Sequence, residues 1–105
     1  MHSTLKEIVL QHSGFDAPIT GGNGRNLEAA IVVHPDGVHS LQTVEMAVLW
    51  SLGAYKQLGW EVHDGERIEQ SGRVYDEVQL IIRAMSKGKV HATHQSVYFD
   101  VTDCI

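Results

Sequence analysis

The chain has 105 residues, with 13 acidic and 8 basic side chains and a formal net charge of −5. This length suits one domain with a single buried core. The basic residues are scattered rather than clustered, which argues against a nucleic-acid partner. The single cysteine, Cys104, cannot form an intrachain disulfide, so we expect a reducing, cytoplasmic environment.

The sequence predicts no membrane segment. Near the N-terminus, Lys6 and Glu7 precede only three consecutive apolar residues, which is too few for the apolar part of a signal peptide. The longest uncharged apolar run, Met46 to Tyr55, falls well short of the roughly 20 residues that cross a bilayer.

The first 14 residues carry the signals of a short helix. Thr4 and Glu7 have the spacing of a capping box, in which a hydroxyl caps the helix and a glutamate reaches back. Gly14 can adopt the left-handed conformation that ends a helix. These signals predict a helix over Leu5–Ser13.

Residues 15–26 read as a glycine-rich loop, because Pro18 and three glycines interrupt any periodic pattern. Such loops cradle phosphates when they follow a strand and open a helix. Here Gly21, Gly22 and Gly24 precede a predicted strand, and their spacing fits neither the P-loop nor the dinucleotide fingerprint. The role of Gly21 to Asn26 stays open at this level.

Residues 27–102 form the predicted core, in the order strand, helix, strand, strand, helix, strand. β-branched content, helical spacing, capping residues and turn dipeptides indicate these elements. They are a strand over 27–34, a helix over Leu41–Leu58 capped by Ser40, a hairpin of 60–63 and 66–69 around Asp64 and Gly65, a helix over 73–87 stopped by Gly88, and a strand over 95–102.

This order predicts one α+β domain, a two-layer ferredoxin-like βαββαβ sandwich with an extra N-terminal helix. Right-handed crossovers would give the spatial strand order fourth, first, third, second, with the last strand antiparallel to the first. The alternative depends on Arg73 to Lys87. If that segment is a strand, the domain becomes one long helix packed on an antiparallel meander sheet.

The chain contains seven histidines, and the βαββαβ arrangement would bring four of them to one end of the sheet. Imidazole binds transition metals and moves protons near neutral pH. The predicted metal ligands are His34, His39, His91 and His94. Their spacings match no established zinc signature, and the competing interpretation is that they are exposed loop and edge histidines.

The same end of the sheet is a predicted site for a small anion or another small ligand. Two helix N-termini, at Ser40 and Ser71, would direct backbone N–H groups there. The predicted ligand-binding residues are His34, Asp36, His39, Ser71, Arg73 and His94. Asp36 would oppose an anion, and the two serines are equally explained as helix caps.

The long helix is apolar on two faces, which predicts a homodimer. One face should pack on the sheet, so the second apolar face must be shielded from water by another part of the chain or by a second subunit. The residues predicted to lie at a subunit interface are Met46, Leu49, Trp50 and Gly53. The N-terminal helix offers an alternative cover within the chain.

The sequence therefore favours a small binding or interaction module that is homo-oligomeric. The alternative is a small metal-dependent or histidine-assisted enzyme that uses His34, His39, His91 and His94. No nucleophile elbow or isolated carboxylate pair is recognisable, so no catalytic residue is assigned and whether the chain is an enzyme stays open. No cofactor is identified.

Overall fold

The computed structural model describes residues 4–56 and 59–105 and shows a mixed α+β fold with two helices and a five-stranded sheet. The helices are α1 (Leu5–Ser13) and α2 (Leu41–Lys56). The strands are β1 (Ile19–Gly21), β2 (Ile31–Val33), β3 (Gly59–Gln70), β4 (Arg73–Ser86) and β5 (Lys89–Asp100). A short 3-10 turn, Thr102–Cys104, follows β5.

The predicted N-terminal helix is confirmed with its predicted bounds. The Thr4 hydroxyl accepts a hydrogen bond from the Glu7 backbone N–H at 3.2 Å, which satisfies one of the free donors of the first turn. At the other end, Gly14 has φ of +70° and its N–H donates to the Leu10 carbonyl. Val9 on this helix is fully buried in the core.

The long helix begins as predicted, because the Ser40 hydroxyl accepts from the Thr43 N–H at 3.1 Å. Its predicted end at Leu58 lies outside the described residues. The predicted strand over 27–34 is reduced to Ile31–Val33. The predicted loop over 15–26 contains β1, which pairs antiparallel with β2.

The predicted helix over 73–87 is wrong: this segment is the central strand of a three-stranded meander. The predicted turn at Asp64 and Gly65 is also wrong, since β3 runs through it with a β-bulge between Val62 and Asp64. β4 forms hydrogen bonds on both sides, to β3 and to β5. This pairing outweighs a weak helical spacing in a segment rich in β-branched residues.

The meander turns at two other dipeptides, Ser71–Gly72 and Lys87–Gly88. All four residues have positive φ, between +53° and +77°. Two consecutive positive φ angles define the type I′ turn, whose twist matches that of the two strands it joins. Gln70 therefore pairs with Arg73 and Ser86 with Lys89.

The strand order is β1-β2-β5-β4-β3, and β2 and β5 are parallel. The predicted ferredoxin-like strand order and the antiparallel pairing of the first and last strands do not appear. The reason is the number of chain reversals. In the predicted order the chain reverses direction five times between the first and last strands, which makes them antiparallel. In the structure it reverses four times between β2 and β5, so these strands run in the same direction.

The core lies on one face of the sheet, between the strands and both helices. Its members share low exposure and face the helices: Val9, Ile19, Ile31, Val33, Val44, Val48, Leu49, Leu80, Val97, Phe99 and Val101. The alternate residues of β3, β4 and β5 face the other way. None of the described helices is both long and apolar enough to cross a membrane.

Two substitutions in the first turn test whether residues 73–86 are a strand. We expect Ser71→Asn to raise the free energy of unfolding by up to about 1 kcal/mol, because asparagine tolerates the left-handed conformation. Gly72→Ala should lower it by roughly 1–2 kcal/mol, since alanine is strained at φ of +77°. Urea unfolding measures both changes.

A helix capped at Ser71 gives a different result. Gly72→Ala would then stabilise the protein by about 1 kcal/mol, and Ser71→Asn would be nearly neutral. The sign of the Gly72→Ala effect therefore separates the two structures.

Candidate functional site

The predicted convergence of four histidines is wrong, because parallel pairing places them at opposite ends of the sheet. Val32 pairs with Asp100, so His34 lies beyond that end of β5. His94 is six residues before Asp100, about 20 Å back along the strand, and His91 is farther still. Among residues 4–56 and 59–105, no group of three or more histidine, cysteine or acidic side chains could hold a metal ion.

The histidines that follow β2 are engaged locally. His34 Nε2 lies 2.7 Å from the Thr20 hydroxyl. Asp36 accepts from the backbone N–H groups of Val38 and His39 and contacts His39 Nδ1 at 2.7 Å. The backbone and side-chain hydrogen bonds from His39 hold the pKa of Asp36 well below its usual range. These contacts shape the turn into α2 rather than leave an open ligand site.

The predicted anion site also lacks two of its parts. Ser71 lies in a β-turn, so it opens no helix. The Arg73 guanidinium donates to Asp100 at 2.6 Å. Burial alone would raise the pKa of Asp100, but the hydrogen bonds from Arg73 and Thr102 keep it lowered. Arg73 is therefore committed to an ion pair, and His94 lies elsewhere, 5.7 Å from the His63 ring.

The predicted interface on α2 is only half exposed. The residues Met46 and Trp50 are 39% and 53% exposed to solvent, whereas Leu49 is 2% exposed and belongs to the core. Gly53 is buried, and a Cβ at this position would overlap the Trp60 indole. Two of the four predicted contacts thus pack within the chain itself.

An open cleft of about 420 Å³ lies between α2 and the paired strands β3 and β4. Glu45 contributes from α2, Arg67 from β3 and Asp76 from β4. Arg67 and Asp76 are direct cross-strand partners. Arg67 Nε and one terminal nitrogen donate to the two Asp76 oxygens at 2.8 and 3.2 Å, a two-pronged ion pair on the cleft wall.

The three charged groups of the cleft are unequal in their protonation. The pKa of Glu45 is raised to about 8. Burial is the largest cause, and a hydrogen bond with Asp76 and repulsion from the Asp76 charge add to it. Burial alone would raise the pKa of Asp76 too, but hydrogen bonds from Arg67 and Glu45 lower it. At neutral pH the cleft therefore presents a carboxylic acid, a carboxylate and a guanidinium side by side.

One oxygen of Glu45 shows why the proton is needed. Glu45 Oε2 is buried and has no hydrogen-bond partner among the described residues. Two carboxylates cannot bond to each other unless one of them carries a proton. A proton shared between Glu45 and Asp76 agrees with the raised pKa, and a neutral carboxyl group lowers the cost of leaving Oε2 buried without a partner.

The cleft adjoins a small depression of about 40 Å³ that is mostly apolar and is lined by Leu49, Leu52, Gly53, Trp60, Leu80, Ile82, Gln95 and Val97. Val78 lines the polar part and Leu80 the apolar part. These alternate residues share one face of β4 and lie about 7 Å apart, so the two regions are adjoining. A polar end beside an apolar end is the usual composition of a small-molecule site.

Sequence reasoning missed this site, because no carboxylate pair could be recognised from the sequence pattern. One signal was available in α2, where Glu45 is the only charged residue before Lys56. It lies one helical turn before Leu49 and so shares the face that meets the sheet. Arg67 and Asp76 become visible as partners only when the turn is placed at Ser71–Gly72.

Comparisons with protein-family models, with curated proteins and with solved structures found no match to this chain.

Glu45→Gln tests the protonation of the cleft. With a folded pKa of about 8 against 4.5, Glu45 binds more protons in the folded state between those values. Its contribution to stability is therefore complete below about pH 4.5 and is lost as the pH rises through about 8. Glutamine stays neutral, so the variant should gain stability over the wild type at pH 8.5 relative to pH 5, as measured by urea unfolding.

The matched control is Glu28→Gln, which makes the same chemical change at an exposed position away from the cleft. If Glu45→Gln shifts stability equally at both pH values, Glu45 does not hold the extra proton.

Proposed function

We propose that this protein is a small-ligand-binding module whose site is the cleft between α2 and the β3–β4 pair. The observation that carries the proposal is the grouping of Glu45, Asp76 and Arg67 in a cleft of about 420 Å³ that adjoins a mostly apolar depression. This volume lies within the range of roughly 300–1,000 Å³ that is common for ligand sites. The site replaces the one predicted at the histidine-rich end.

The chemistry of the cleft favours a ligand with an apolar body and a neutral or cationic polar group. Arg67 is already paired with Asp76, and Glu66 and Glu77 also line the cleft, so an anion would meet excess negative charge. An amine or hydroxyl could donate to Asp76 and accept from protonated Glu45. Trp60 and Ile82 would cover the apolar body.

The pairing of Glu45 and Asp76 also supports proton exchange with the bound ligand. Environments that push the pKa values of two adjacent carboxyl groups apart provide an acid and a base together at neutral pH. Binding should therefore depend on the charge of Glu45.

The metal-dependent version of the enzyme hypothesis gains no support from the described residues.

The proposal keeps two earlier expectations, a cytoplasmic location and a homo-oligomeric state. The free, partly buried thiol of Cys104 is compatible with the first. Its Sγ donates to the Val33 carbonyl at 3.4 Å, which gives the cysteine a packing role.

Fluorescence titration with N-phenyl-1-naphthylamine, a neutral apolar amine, tests the cleft. We expect saturable binding that weakens as the pH rises through about 8, because ionised Glu45 no longer donates a hydrogen bond. Glu45→Gln should bind with little pH dependence, and Leu52→Glu should bind at least about tenfold more weakly, since it places a charge in the apolar part.

Trp50→Glu is the matched control, because it introduces the same charge on α2 at an exposed position outside the cleft. Probe binding that Trp50→Glu weakens and Leu52→Glu leaves unchanged would place the site elsewhere and overturn the proposal.

A further inference from the structure

The sheet has a face that none of the described helices covers. We call it the open face; it consists of the residues of β3, β4 and β5 that alternate with the core residues. Cross-strand partners share this face, and from one end to the other the β4–β5 pairs are Tyr75 with Asp100, Glu77 with Tyr98, Gln79 with Ser96, Ile81 with His94, Arg83 with Ala92, and Met85 with Val90.

One end of the open face, the β4–β5 hairpin tip, is basic and apolar. β3 begins at Gly59 opposite Arg83, so the tip extends past the third strand. Met85 and Val90 are direct partners there and remain 76% and 62% exposed. Residues 78–99 contain Arg83, Lys87 and Lys89 and no acidic side chain. Arg83 is paired with Glu61 of β3, so in the described chain the positive charge without an ion-pair partner lies on Lys87 and Lys89, in and beside the turn.

The other end of the open face is acidic. Glu66 and Glu77 lie directly opposite each other on β3 and β4. Like charges in this position destabilise a sheet unless another group compensates them. Glu77 accepts hydrogen bonds from Ser96 and Tyr98, but in the described chain neither glutamate forms an ion pair. Half-buried Ile68 and Tyr75 flank them.

We propose that the open face binds a second copy of this chain in the antiparallel sense, with the basic tip of each copy on the acidic end of the other. The two-fold axis lies between the two sheets, perpendicular to the strands and level with their middle, so it places the basic tip of one copy over the acidic end of the other. One contact is then made twice, as in a closed symmetric dimer. Met85 and Val90 would pack against Ile68 and Tyr75 of the second copy.

Charge complementarity selects this surface over the others. The edge of β3 is a poor pairing partner, because a β-bulge interrupts it and acidic side chains line it. The apolar patch once expected on α2 reduces to Met46 and Trp50, since Leu49 and Gly53 are buried. Glu66 and Glu77 also border the ligand cleft, whereas Met85 and Val90 lie at the far end of the sheet and line neither part of the cleft. The Met85→Glu variant therefore tests this proposal independently of the proposed function.

A charge-exchange experiment tests the arrangement by sedimentation equilibrium over a wide concentration range. We expect the wild type to dimerise. Lys87→Glu with Lys89→Glu gives a copy that is acidic at both ends, and Glu66→Lys with Glu77→Lys gives one that is basic at both ends. Each double variant alone should dimerise at least tenfold more weakly, and an equal mixture of the two should recover the dimer.

Met85→Glu keeps the test independent of folding, because this side chain is already exposed in the single chain. It should weaken the dimer at least tenfold, whereas Trp50→Glu on α2 should leave it unchanged. A wild type that stays monomeric, a dimer that Trp50→Glu disrupts and Met85→Glu does not, or a monomer whose tip instead binds vesicles of anionic phospholipid would each overturn the proposal.

Discussion

The two type I′ turns at Ser71–Gly72 and Lys87–Gly88 are the constraint on which the rest of the structure depends. A two-residue turn leaves no freedom in register, so it fixes the cross-strand neighbours of β4 and β5, and those of β3 and β4 as far as the β-bulge at Val62 and Asp64. The first turn sets Arg67 against Asp76 and the second sets Met85 against Val90. The turns also set the number of chain reversals, and with it the parallel pairing of β2 and β5.

The cleft follows from an imperfect fit between α2 and this meander. Near Leu49, α2 packs closely on β4 and β5, and the small volume of Gly53 admits the Trp60 indole. One helical turn earlier the contact opens around Glu45. A carboxyl group there is partly removed from water and faces Asp76, and both effects favour its neutral form. The same geometry that leaves space for a ligand therefore creates the acid beside the carboxylate.

The two faces of the sheet differ in charge as well as in cover. On the covered face, Arg67 neutralises Asp76 within the chain. On the open face, Glu66 and Glu77 lie together at one end, and the basic residues gather at the hairpin tip. Arg73 with Asp100 and Arg83 with Glu61 are paired within the chain, so the separated charges are those of Glu66 and Glu77 at one end and of Lys87 and Lys89 at the other. Such a division favours a defined orientation of contact over non-specific association.

The sequence by itself determined the parts whose signals are local: the mixed α+β class, α1 with its Thr4 and Gly14 caps, and the start of α2 at Ser40. It did not determine residues 73–86, where helical spacing and β-branched content compete within one segment. Strand pairing on both sides decided that competition, because hydrogen bonds to β3 and β5 exist only in the folded chain. The convergence of Glu45, Arg67 and Asp76 depends on that pairing, so only the tertiary structure could bring these three residues together.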